Sequence, residues 1–152
     1  MQPSEVRIPA YGEISADENA VGTDVADEDT FVQVAIFDTD GESLNTTPDH
    51  TSDDITIIIP GVYAIICTLD AQSNQSHDYH FGVFKDDTPI ENISISRQTT
   101  VANKIGAVAM SGFARLDAED AINLRVERRD GGAPSQTITI EHVTLSLNRI
   151  SP

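Results

Sequence analysis

The chain has 152 residues, with 25 Asp+Glu against 9 Lys+Arg, and a formal net charge of −16 at pH 7. That length fits one domain able to bury a core, and the acidity excludes a surface made for phosphate backbones or anionic membranes. The single cysteine excludes an intrachain disulfide framework, and no apolar run reaches the roughly 20 residues that a membrane-spanning helix needs.

Met1–Glu5 has neither a basic nor an apolar region of the secretory type, so no signal peptide is expected. Val6, Ile8 and Tyr11 form a small apolar cluster, and Pro3 and Pro9 argue against a helix there. Residues 1–54 hold fourteen Asp/Glu against Arg7 alone. A solvated acidic face or a docking surface for a basic partner both account for this. Residues 13–30 are poor in large apolar side chains and read as an extended or weakly ordered arm. The expected organisation is therefore an acidic N-terminal arm over 1–30 and a β domain over 31–152; the competing reading makes residues 6–14 an extra edge strand of that domain.

Phe31–Ile36 reads as the first strand, followed by a turn at Asp38-Thr39-Asp40-Gly41. Asp38-x-Asp40-Gly41 matches the start of a calcium loop, but the third ligand and the closing glutamate are missing. Leu44 opens a short strand at most, before the polar loop Asn45–Asp54. Ile55, Ile57 and Ile59 then alternate along a strand, which Pro60-Gly61 breaks. Val62–Leu69 is a strand with two largely apolar faces, Tyr63/Ile65/Cys67/Leu69 and Val62/Ala64/Ile66/Thr68. A central core strand and a strand covered on one side by another subunit both fit that pattern. Cys67 reads as a small core hydrophobe.

After a polar loop at Asp70–His77, Asp78–Lys85 is the next strand. Ile90, Ile93 and Ile95 mark another, which carries the sequon Asn92-Ile93-Ser94. Thr99–Lys104 reads as a loop, and Ile105–Leu116 as a long strand with small residues at Gly106, Ala107, Ala109, Ser111 and Gly112. Small residues admit a second backbone or mark a bulge. A tight acidic turn at Asp117–Asp120 precedes the alternating strand Ala121–Arg128. The loop Asp130–Pro134 leads to a last strand, Thr137–Leu147, whose parity shifts near Glu141-His142, as a bulge would shift it. About eight to ten strands without a helix favour a sandwich or jelly roll.

The order of motifs resembles a known family. Ile55–Ile59, then Pro60-Gly61-Val62-Tyr63, the apolar strand, Phe81-Gly82-Val83-Phe84-Lys85-Asp86 and Leu116–Val126 are similar to the tumour-necrosis-factor and complement globular-head jelly rolls. Their small relatives among phage virion proteins share this order. The resemblance covers about residues 31–150 and rests on structural motifs. It implies an all-β antiparallel jelly-roll sandwich, a homotrimer packed about a threefold axis, and a place on the capsid exterior of a virion. The expected function is that of a capsid decoration (cement) or head-fibre protein, with the major capsid protein or another virion protein as partner. The alternative is a receptor- or carbohydrate-binding tip module of a phage fibre. The absence of a shaft and an aromatic content of 5% with no Trp favour the first. The expected trimer interface is Val62, Ala64, Ile66, Gly106, Ala107 and Ala109, and the expected capsid anchor is Val6, Ile8 and Tyr11.

No catalytic set stands out. Ser111 lies in Val-Ala-Met-Ser-Gly, not in a nucleophile elbow, and no phosphate-binding loop or Cys-x-x-Cys is present. His77 and His80, three apart, fall on opposite faces of a strand, and His50 and His142 have no evident partners. No enzyme activity, metal site or cofactor is expected.

Overall fold

The computed structural model describes residues 7–98, 106–129 and 136–152. Val6 and the expected loops at 99–104 and 130–134 lie outside the described residues. Within them are twelve strands and no helix: β1 Tyr11–Ala16, β2 Gly22–Asp24, β3 Val32–Gln33, β4 Thr39–Asp40, β5 Thr46–Asp49, β6 Asp54–Ile57, β7 Gly61–Ser73, β8 Asp78–Lys85, β9 Thr88–Gln98, β10 Gly106–Leu116, β11 Ala121–Arg128 and β12 Thr137–Ser151. They form two antiparallel sheets. The first runs β10-β7-β12-β1-β4, with β2 beside β12, and the second runs β5-β6-β11-β8-β9, with β3 beside β11. The sheets face each other as a jelly-roll sandwich, and their inner faces make one core that includes Ile14, Ile55, Tyr63, Ile65, Phe81, Leu124 and Leu145.

The PGxY motif has a local cause. Pro60 ends the β6 segment, and Gly61, at φ +155°, lets β7 start against β12, where a Cβ would strike the Ser151 carbonyl and the Arg149 side chain. Tyr63 then folds back so that its hydroxyl donates to the Ile59 carbonyl at 2.6 Å. The buried Arg149 ties the corner together. Its Nε donates to the Pro60 carbonyl at 2.9 Å, and its guanidinium donates to the Ile8 carbonyl at 2.8 Å.

The chain departs from the expected arm. Tyr11–Ala16 pairs along β12 from Asn148 to Val143, inside the first sheet. Its inward residues are Gly12, Ile14 and Ala16, so only one large apolar side chain marks it as a strand. The small residues are needed because the other sheet presses close: a Cβ on Gly12 would run into Thr46, and Thr46 Oγ1 donates to the Tyr11 carbonyl at 2.6 Å. Farther along, Val25 is fully buried, and Arg128 donates to the Ala26 carbonyl at 2.9 Å. The folded unit therefore takes in residues that composition assigns to an arm.

Other boundaries shift for similar reasons. β7 runs on to Ser73, because Asp70 and Gln72 point outward while Ala71 and Ser73 are buried. Phe31–Ile36 keeps only two ladder residues, Val32 and Gln33, and the polar stretch after Leu44 contains β5. Thr39–Asp40 is not a free turn but pairs with Ser15 and Ile14. The parity shift in β12 is a register shift between Ile140 and His142.

Candidate functional site

The outward face of the first sheet is unlike an ordinary solvated face. β7 lies in the middle of the ladder between β10 and β12, so it is a central strand, and Tyr63, Ile65, Cys67 and Leu69 are buried on its inner side. Its other side is open in the single chain: Val62 and Ala64 are half-buried, and Ile66 is 50% exposed. On β10, Ala107 and Ala109 share this open face, opposite Asp70 and Thr68. Phe113, opposite Ala64, is 63% exposed. Two shallow hollows, of about 470 and 350 Å³, run across the β10, β7 and β12 surface.

Five of the six residues expected at an interface therefore share one surface. Gly106 does not: it pairs with Ala71 and has the inward parity of Val108 and Met110. Gly112 also has inward parity, and its missing side chain makes room for the buried Ile93 of β9. The small residues of β10 thus serve two purposes, packing within the chain on one face and a flat open surface on the other.

Of the expected anchor residues, Tyr11 lies on this sheet. Tyr11 is 38% exposed and stands opposite Asn148, in the same cross-strand row as Ala64 and Phe113; it bridges to Leu44, which is 42% exposed. Ile8 is 46% exposed, but its carbonyl is held by Arg149. Thr144, Ser146 and Asn148 separate the Tyr11/Leu44 patch from the Ile66/Phe113 patch.

His142 does have partners, contrary to the sequence reading. The bulge turns it outward, where Nδ1 lies 2.9 Å from Asp70 Oδ2 and Nε2 lies 3.1 Å from Asp17 Oδ1. The bond to Asp70, with the nearby charges of Asp70, Asp17 and Glu141, outweighs desolvation and raises the imidazole pKa. Donor atoms of Asp70, Glu141 and His142 lie within 4.8 Å of one another. The imidazole lies between Asp70 and Asp17, and Glu141 accepts from Gln72 Nε2 at 2.8 Å, so these groups form an ion-pair group at one end of the open face. His50 meets Asp40 at 3.1 Å, while His77 is buried and His80 faces Glu127. Cys67 is fully buried and its thiol is pushed up to about 12, which makes it inert as a nucleophile.

No protein-family model and no curated protein matches the chain. Solved structures do resemble it. The Eiger TNF of S. frugiperda superposes with a TM-score of 0.65 at 11% identity, over 95% of this chain and 94% of that one. Murine APRIL gives 0.60 at 9%, over 94% and 100%. The globular domain of zebrafish complement 1qA protein gives 0.57 at 16%, over 94% and 98%. The fold is thus a jelly roll of the tumour-necrosis-factor and complement globular-head kind.

Proposed function

We propose that this chain is a structural module: a homotrimeric knob on the outside of a phage head, acting as a capsid decoration (cement) or head-fibre protein. Its partner is the major capsid protein or another virion protein, and it works without catalysis, metal or cofactor. The observation that carries the reading is the open face of the first sheet, where Ile66 and Phe113 lie bare in a single chain. The fold likeness supports self-association, and the motif order shared with small phage virion jelly rolls supports the location.

A threefold ring joins two different patches, because a head-to-tail contact closes only when one surface meets another. The first sheet offers such a pair, Ile66/Phe113 with Ala64, Ala107 and Ala109 at one side and Tyr11/Leu44 at the other. In this arrangement Tyr11 passes from the anchor to the ring, and the anchor narrows to Ile8 and Val6. Electron cryomicroscopy of the particle carrying this chain tests the function. Three-lobed knobs on the head shell that bind antibody to the chain are the expected result. Antibody confined to a tail fibre favours the second reading, a receptor- or carbohydrate-binding tip module, which draws on a groove in the other sheet.

A further inference from the structure

The outward face of the second sheet carries a groove of about 250 Å³ between β8, β9 and the segment before β3. Phe31, Phe84, Gly82 and Ile90 line it, with His80 and Arg129 as its basic groups. Phe31 sets its ring edge-on to Phe84 at 4.8 Å and tilted to His80 at 5.4 Å. Gly82 adds no side chain between the two phenylalanines; a Cβ there would come within 3.3 Å of Phe84 and 3.8 Å of Phe31.

Glu127 organises the polar end. Its side chain is only 7% exposed, and Oε1 lies 2.8 Å from His80 Nδ1 and 2.9 Å from Arg129 Nε. A carboxylate beside Nδ1 holds that proton, which leaves His80 Nε2 as a ring acceptor. Arg129 spends Nε on Glu127 and keeps its terminal nitrogens, on a side chain that is 48% exposed. One cationic donor, Arg129, and one ring acceptor, His80 Nε2, are thus fixed by one buried acid beside an aromatic wall. Glu91 and Ser94 complete the lining and offer acceptors for hydroxyl groups.

We propose that this groove binds an acidic sugar, with its carboxylate on Arg129, its ring face on Phe31 and its hydroxyls toward His80 Nε2, Glu91 and Ser94. A guanidinium end suits a planar carboxylate. A wholly apolar ligand would strip water from Arg129, His80 and Glu91 without replacing their bonds. The volume lies just under the ~300 Å³ where drug-sized pockets begin, which suits one sugar ring. The net charge of −16 does not forbid it, since charges farther than about 8 Å are screened at physiological salt. The inference rests on the groove alone and holds for a head knob or a fibre tip.

The test is a titration of the full chain with glucuronate, followed by amide and side-chain NMR shifts, with glucose and acetate as controls. The expected result is saturable shifts confined to Phe31, His80, Gly82 and Arg129, with glucose and acetate each bound about tenfold more weakly or not at all. Arg129→Gln is expected to weaken glucuronate about tenfold, in line with loss of one charge-assisted hydrogen bond. Phe31→Ala is expected to weaken glucuronate while leaving acetate unchanged. No saturable shift, equal binding of acetate and glucuronate, or full binding by Arg129→Gln would each overturn the proposal.

Discussion

The two sheets of this sandwich have outward faces of opposite character. On the second sheet the face is finished within the chain. Arg125 lies 4.8 Å over the Phe84 ring and reaches Asp87 at 2.7 Å, Phe31 covers Phe84 from the side, and Glu127 holds both His80 and Arg129. On the first sheet Ile66 and Phe113 stay largely open among the described residues, and threonine, serine and asparagine fill the rows between the apolar patches. Each large apolar side chain gains about 1.5–3 kcal/mol when fully buried. The difference leaves one face complete in the monomer and the other open, as the proposed ring requires.

Breaking the open face should have the largest effect. The double substitution Ile66→Asp with Phe113→Asp is expected to leave a folded monomer, because both side chains point away from the core. Light scattering on a sizing column reads the mass, and circular dichroism reads the fold. An intact oligomer from this variant would show that the ring uses some other surface.

Breaking the finished face should affect stability and not assembly. Glu127→Ala removes the shared acceptor of His80 and Arg129 and is expected to cost about 1–3 kcal/mol in urea unfolding, with no change in mass. A change in oligomeric state without loss of stability would reverse the roles assigned to the two sheets.

Some of this contrast was legible in the residues themselves. β8 and β11 match their expected bounds because their inward positions carry Tyr79, Phe81, Val83 and Ile122, Leu124, Val126, a period that survives any register. Val62, Ala64 and Ile66 could be placed on one face by parity alone. An edge strand over residues 6–14 could be weighed but not decided, because a closely packed strand with Gly12 and Ala16 facing inward has almost no hydrophobic period. The joining of Tyr11, Asn148, Ala64 and Phe113 into one row depends on pairing register across four strands, which a single sequence does not print. The same holds for Asp70 with His142, 72 positions apart, and for Glu127 with His80, 47 apart.

The ion-pair group at the end of the open face predicts a pH dependence. His142 has a folded pKa above its ordinary value of 6.5, so its contribution is fully present below that value and is lost as pH rises through the folded pKa. Thermal melts are expected to fall modestly above pH 6.5, and His142→Gln should flatten that part of the profile. An unchanged slope in the variant would remove His142 as the cause.

The smallest effect is expected at the β5–β6 margin of the second sheet. Asp54 sits directly opposite Asp49, and burial, with the charges of Asp49, Asp53 and Asp86, raises its carboxyl pKa. The raised value means that stability falls as pH rises from 3.8 through the folded pKa, so the ionised group is a net cost at pH 7. Asp54→Asn should therefore stabilise the chain at pH 7 by about 0.5 kcal/mol after screening by solvent, with no gain at pH 3. A loss of stability at pH 7 would show that the carboxylate is held by a favourable contact.

Sedimentation equilibrium of the full chain at micromolar concentration tests the central claim most directly. The open first-sheet face predicts a species of three times the 16.4 kDa chain mass. A single species at the chain mass, with Ile66 and Phe113 left in water, would contradict it.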